Sequence, residues 1–302
     1  MKALVLYSLP PVNPPPGRHV WEFDTNVGAE GIREALPDVE LAGVHGDARE
    51  VLSVLDQHQP DVVINLCEAP LGRPDREVHV AALLEWLGIR YTGARSETLA
   101  LCRRKDRALA VLAAAGVPVP RATGFPCIVK PAEEHGSAGL HHGSVCEDET
   151  AVARAKAQWS GPVLVQEFLP GREFPVALWG ATSPEHHSIG EIRFKGDLRL
   201  NTYAAKWEVE SDDYANSPIF YDRDIDPALC ESVLAAARGA WQAVGATGYL
   251  RVDVRLDHAG QPRVIDVNAN PEMGPEVGMH RAVTESGWTW ERFIRQQIAW
   301  AT

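Results

Sequence analysis

The stretch 248–268 constrains the fold of this chain more than any other. Gly248-Tyr249-Leu250-Arg251-Val252-Asp253-Val254-Arg255-Leu256 alternates with period two, so Leu250, Val252, Val254 and Leu256 face one way and Arg251, Asp253 and Arg255 the other. Arg263-Val264-Ile265-Asp266-Val267-Asn268 repeats the pattern, with Asp266 and Asn268 sharing a face backed by Ile265 and Val267. The connection Asp257-His258-Ala259-Gly260-Gln261 is rich in turn formers, which predicts an antiparallel hairpin. Pairing Leu256 with Arg263 sets Asp253 opposite Asp266 and Arg251 opposite Asn268. Opposed carboxylates repel. A divalent cation between them removes the conflict: Mg²⁺ takes one or two carboxylates together with substrate phosphates, and Asn adds a neutral oxygen. A solvated hairpin face is the competing reading.

Ahead of this hairpin, residues 1–94 alternate strands (2–7, 39–44, 61–66) with helices (26–36, 48–57, 77–87). Such alternation makes a parallel sheet with helices on its faces. Ligands in such sheets bind beyond the carboxyl ends of the strands, which singles out loops 8–24 and 67–76. A helix over 96–115 follows, stopped by Gly116 and two prolines. Then come a strand at 126–130, a Gly/Ser loop at 135–143, a helix at 148–159 and a strand at 163–168. The remainder reads as strands at 173–178 and 188–194, a polar loop 195–218, a helix at 227–244, the hairpin, and a closing helix at 289–299.

The bulk numbers narrow the function classes. With 302 residues, 45% hydrophobic and 23% charged, the chain is long enough for two or three globular domains. A net charge of −12 argues against nucleic acid or an anionic membrane as the main partner, since both reward clustered Lys and Arg. No apolar run approaches the ~20 residues of a membrane span, and residues 1–7 read as a buried strand rather than a signal peptide. The five cysteines are scattered without a C-x-x-C pair, which fits reduced thiols in a cytoplasmic protein.

The hairpin followed by Asn270-Pro271 resembles the metal-binding end of ATP-grasp enzymes, specifically the D-alanine–D-alanine ligase group. The likeness runs over nearly the whole chain and is strongest from Lys105 onward. It implies an ATP-grasp fold of the α/β class, with an N-terminal parallel α/β domain (1–94) and two α+β domains (95–170 and 171–302) that clasp the nucleotide. By position, Asp253, Asp266 and Asn268 hold two Mg²⁺ ions (Mn²⁺ as an alternative), with Asp266 where the family usually has Glu. Arg251 stabilises the transferring phosphoryl group and the acyl oxyanion. Phe125-Pro126-Cys127-Ile128-Val129-Lys130 and the following Gly136-Ser137 match the strand lysine and the phosphate loop, whose backbone N–H groups close over phosphates. Lys105 and Lys206 match further phosphate-contacting lysines. In 163–173, Gln166 and the backbone of Glu167 and Leu169 meet the adenine edge, Phe168 covers its face, and Glu173 binds the ribose hydroxyls. The resemblance also implies a homodimer.

The implied reaction is carboxylate–amine ligation through an acyl phosphate, with ATP converted to ADP and phosphate and no covalent nucleophile on the protein. The family places Gly and Ser after the Asn-x-x-Pro element to bind the second substrate's carboxylate; here Glu272 and Val277 stand there. Substrates other than the D-alanine pair are therefore expected, with Glu22, Glu68, Glu77 and Glu272 as candidate substrate residues. Glu22, Glu68 and Glu77, with Asp75, lie on or beside the predicted ligand loops, where some recognise a substrate ammonium; Asp75 is also a candidate helix cap. Two alternatives stay open: a D-alanine–D-alanine ligase proper, and a non-catalytic ATP-binding regulatory protein, which would bind ATP without releasing ADP.

Overall fold

The computed structural model describes residues 1–11, 25–122, 124–134, 136–196, 199–221 and 225–302. The first sheet places β1 (Ala3–Ser8) between β2 (Glu40–Val44) and β3 (Val62–Leu66), all parallel. Helices α1 (Asn26–Ala35) and α2 (Ala48–His58) provide the two crossovers, and α3 (Glu77–Leu87) follows β3. The Asp47 carboxylate caps α2 by accepting from the Arg49 N–H at 2.8 Å, and Gly88 ends α3 in the left-handed conformation. Period-two alternation divides β1 between two cores: Leu4 and Leu6 enter one, Ala3 and Val5 the other.

The sequence predicts one helix over 96–115, and the structure breaks it into α4 (Ser96–Cys102) and α5 (Lys105–Ala114). Arg104 is extended (φ −102°, ψ 91°) and pairs with Asp106, which frees the Lys105 N–H to reach the carbonyl of Ala132 at 2.9 Å. Leu99 and Leu112, on either side of the break, pack in the same core as Leu4. A second sheet follows, with β4 (Cys127–Pro131) between β5 (Val145–Cys146) and β6 (Val163–Glu167), covered by α6 (Glu149–Lys156). It has a small core of its own, built on Cys127, Val129, Cys146 and Val152.

The third sheet is assembled from β7 (Glu173–Gly180), β8 (His186–Ile189), β9 (Glu191–Ile192), β10 (Ile219–Phe220), β11 (Gly248–Leu256) and β12 (Pro262–Asn268). Its order is β10-β9-β7-β11-β12, with β8 also paired to β7. The predicted strand 188–194 divides at Gly190 into β8 and β9. The predicted loop 195–218 carries two short helices, α7 (Tyr203–Trp207) and α8 (Asp212–Ala215), because the Thr202 and Ser211 hydroxyls accept first-turn N–H groups. Helix α9 (Pro227–Ala243) begins at Asp226 with Pro227 in its first turn and buries Val233, Leu234, Ala237 and Trp241. Two helices close the described chain, α10 (Gly278–Glu285) and α11 (Trp290–Trp300); α10 falls in a stretch where the sequence pattern predicts no helix.

The hairpin pairs Arg251 with Asn268 and Asp253 with Asp266, as the alternation predicts. Beyond that point a bulge intervenes: Val254 faces Val264 and Leu256 faces Pro262, not Arg263. The extra residue is Ile265. Val264 and Val267 therefore both enter the core, while Ile265, expected to back Asp266, turns to the cleft side. Leu250 is fully buried where β11 sits between β7 and β12. Leu250→Ala is expected to lower the unfolding free energy by about 2–5 kcal/mol. Urea denaturation checks this as a shifted midpoint at unchanged slope.

Candidate active site

A narrow cleft of about 90 Å³ lies between the second and third sheets. Its walls bring together all nine residues expected to hold the nucleotide: Lys105, Lys130, Gly136, Ser137, Gln166, Glu167, Phe168, Leu169 and Glu173. Lys206, Arg251, Asp253, Asp266 and Asn268 line the same cleft.

The opposed carboxylates each have a cation. Arg251 donates to both oxygens of Asp253, at 2.9 and 3.1 Å, and the Lys105 ammonium sits 3.1 Å from Asp266 Oδ2. The bulge in β12 supplies a further anchor, since Lys130 Nζ donates to the Ile265 carbonyl at 3.0 Å. Burial lowers the Lys130 ammonium to about 8; Asp266 works against that shift and Lys105 adds to it. Lys206 is lowered too, first by burial and then by the Arg251 charge. A cleft that disfavours its own cations in this way favours a polyanion that restores their charge.

At the far end, the buried Gln166 side-chain carbonyl has no hydrogen-bond partner among the described residues. An unsatisfied acceptor in an apolar wall with Phe168 and Leu169 is suited to an N–H donor on a planar ligand. The Glu167 N–H is already committed to the Arg121 carbonyl at 2.9 Å, and its carboxylate pairs with the Arg121 side chain. Glu173 engages Arg255 at 3.0 Å, both buried, and burial raises the Glu173 carboxyl while Arg255 opposes the shift. Arg255 also lies over the Phe168 ring at 5.0 Å. No sequence motif assigns Arg255 a role, although the alternation sets it on the face of Arg251 and Asp253.

The Gly/Ser loop is docked. Gly136, Ser137 and Gly139 have φ of 63°, 61° and 73°. The Gly136 carbonyl accepts from Trp207 Nε1 at 2.8 Å, and Ser137 Oγ donates to the Asn201 carbonyl at 2.9 Å. A Cβ on Gly139 would meet the Trp159 ring at 1.7 Å, so this close approach requires glycine.

A larger cavity of about 790 Å³ opens on the other side. Gly136, Asn201, Lys206, Arg251, Asp253 and Asn268 line both cavities, so the two meet at these residues. Glu68, Glu77 and Glu272 line the larger one, and Glu22 lies outside the described residues. Burial lifts the Glu68 carboxyl to about 8, with Glu272 and Glu77 adding and Arg251 opposing. Burial likewise lifts Glu77 to about 8, against a long hydrogen bond of 3.5 Å from Asn270. Glu272, on the solvent-reachable wall, is raised by the surrounding protein and held back by Arg251 and Lys206. Asp75 does not cap α3; it pairs with Arg73 at 2.9 Å, and α3 starts at Glu77 behind Arg76. Among the described residues no cluster of three or more His, Cys, Asp or Glu is placed to hold a metal, and no helix is long and apolar enough to cross a membrane. The oxygen set on the hairpin is two carboxylates and one amide, a set suited to Mg²⁺ completed by phosphates.

Residues 104–299 match the family model described as D-ala D-ala ligase C-terminus. A D-alanine–D-alanine ligase of Anaeromyxobacter sp. (strain Fw109-5) is 30% identical over 265 residues, covering 81% of this chain and 80% of that one. The enzyme of the same name from Rhizobium meliloti is 27% identical over 291 residues, covering 89% and 87%. The solved D-alanine–D-alanine ligase of Bacillus anthracis complexed with ATP superposes with a TM-score of 0.74 at 16% identity, covering 99% of this chain and 96% of that one, a likeness of fold.

Two outcomes are expected from this geometry. Arg255→Met strands a buried carboxylate and is expected to cost about 3–5 kcal/mol of stability, part of which Glu173→Gln restores in the double variant. For Glu77, the folded chain keeps a proton between about 4.5 and about 8 that the unfolded chain has released, so its contribution to stability falls as pH rises through that window. Glu77→Gln is expected to reduce this fall, by at most about 1.4 kcal/mol per pH unit, in urea unfolding from pH 5 to 8.

Proposed function

Because this chain belongs to the D-alanine–D-alanine ligase family, we propose that it joins an amino-acid-derived carboxylate to an amine, with substrates other than the D-alanine pair. The chain is an ATP-dependent, carbon–nitrogen bond-forming ligase with an ATP-grasp fold. The observation that carries the proposal is the junction of the two cavities at Lys206, Arg251, Asp253 and Asn268. A ligase needs a nucleotide γ-phosphoryl group on one side of such a junction and a carboxylate on the other.

In the proposed reaction a substrate carboxylate oxygen attacks the γ-phosphorus. The bond from that phosphorus to the β–γ bridging oxygen breaks, and ADP leaves beside an acyl phosphate. The amine nitrogen then attacks the acyl carbon, phosphate departs, and the nitrogen releases its proton to water. Lys105, Lys130 and Lys206 neutralise the polyphosphate, and Arg251 stabilises the phosphoryl oxygens and then the acyl oxyanion. Gln166 accepts from the adenine amino group, Phe168 covers the ring and Glu173 holds the ribose. Asp253, Asp266 and Asn268 hold Mg²⁺, which when bound supplies positive charge to the phosphoryl oxygens. The loop at Gly136 and Ser137 excludes water from the transfer. Glu68 and Glu77 receive a substrate ammonium group; their raised carboxyls ionise when a cation arrives. Glu272, where the family has glycine, sets the chain apart from relatives that bind a second carboxylate there.

Hydroxylamine trapping tests the proposal. With ATP, Mg²⁺ and a panel of amino-acid and peptide carboxylates, the protein is expected to release ADP and form a hydroxamate from its donor, with D-alanine a poor donor. Binding of ATP without ADP release across the panel opposes it. Arg251→Ala is expected to slow hydroxamate formation by about 10²–10³-fold.

A further inference from the structure

The larger cavity is charged where it meets the nucleotide cleft and mixed elsewhere, where Glu272, Glu276 and Arg281 stand among apolar side chains. The charged part holds Arg251, Lys206 and Asp253, and the carboxyls of Glu68 and Glu77 stand in its walls. Elsewhere its walls carry large apolar side chains that remain open to solvent: Val27 at 62%, Tyr214 at 42%, Phe220 at 38% and Val277 at 43% exposure. They come from separate elements: Val27 from α1, Tyr214 from α8, Phe220 from β10, and Val277 from the residue before α10.

Single exposed apolar residues need no explanation, but apolar side chains gathered on one cavity and continuous with a charged centre mark a ligand-binding surface. Resting on the reading that Glu68 and Glu77 receive an ammonium group, we propose that the amino substrate carries a bulky apolar side chain, branched aliphatic or aromatic. The ammonium sits at the carboxyls, and the side chain covers Val27, Tyr214, Phe220 and Val277. Alanine fills the charged part and leaves this apolar wall wet. Each apolar group a substrate buries in such a pocket is worth about 10–200-fold in kcat/KM.

ADP release with ATP and Mg²⁺ tests this, using alanine, leucine and phenylalanine in both stereochemical forms. Each is offered with hydroxylamine to read it as donor, and in pairs to read it as acceptor. Leucine or phenylalanine is expected to exceed alanine by about tenfold or more in kcat/KM. Phe220→Ser and Val277→Asp are each expected to shrink that ratio, and both side chains are exposed. Because Phe220 also carries the Arg193 guanidinium over its ring at 4.6 Å, retained ADP release with alanine is the folding control for each variant. Equal rates for alanine and leucine, or a preference that survives both substitutions, overturn the inference alone. No ADP release with any amino compound overturns the amino-substrate reading and this inference with it.

Discussion

Two carboxylates face each other across one β-ladder, and the site is arranged around that conflict. Asp253 and Asp266 are paired positions in β11 and β12. At a side-chain separation on the order of 5 Å and an effective dielectric near 20, their repulsion is about 3 kcal/mol. Arg251 answers one and Lys105 the other. Arg251 is local, two residues away on the same strand face. Lys105 comes from a different part of the chain, and the helix break at Arg103 and Arg104 starts α5 at this lysine. The fold thus contributes a cation to a repulsion that the hairpin creates.

The same hairpin joins the narrow cleft to the larger cavity. Hydrophobic burial of Leu250, Val252 and Val254 holds β11 in the third sheet, which leaves its other face free to carry charge. The second sheet, with its separate small core, closes over this face through Lys130 and the Gly136–Ser137 turn. The bulge at Ile265 turns a main-chain carbonyl toward Lys130, so an irregularity in the ladder is also a contact between sheets. Lys130 and Lys206 are lowered by desolvation, while Glu68 and Glu77 in the larger cavity are raised by it. Each set is uncomfortable alone, and each is suited to a ligand of the opposite charge.

Local patterns in the sequence were enough for the parallel first sheet, for α3 from Glu77 to Leu87, and for the pairing of Asp253 with Asp266. They were also enough for a family resemblance whose expected nucleotide residues all line one cleft. These succeed because period-two alternation, turn residues and short motifs are encoded within a few positions of one another. The misses are of another kind. The break between α4 and α5 depends on Ala132 accepting from Lys105, a contact across 27 positions that no helical pattern contains. The bulge at Ile265 is invisible to alternation, since Ile fits either face of a strand.

What the sequence by itself determined was chemistry and local geometry: the face shared by Arg251, Asp253, Asp266 and Asn268, the glycines of the turn at Gly136 and Gly139, and the departure from the family at Glu272 and Val277. What only the tertiary structure decided was company. Arg255 with Glu173, Lys105 with Asp266, and the apolar side chains gathered around the cavity that holds Glu68 and Glu77 all come from distant segments. Their charge states and neighbours are set by burial and by Coulomb forces between residues far apart in the chain. Those quantities depend on distance in space, and spacing along a sequence does not contain them.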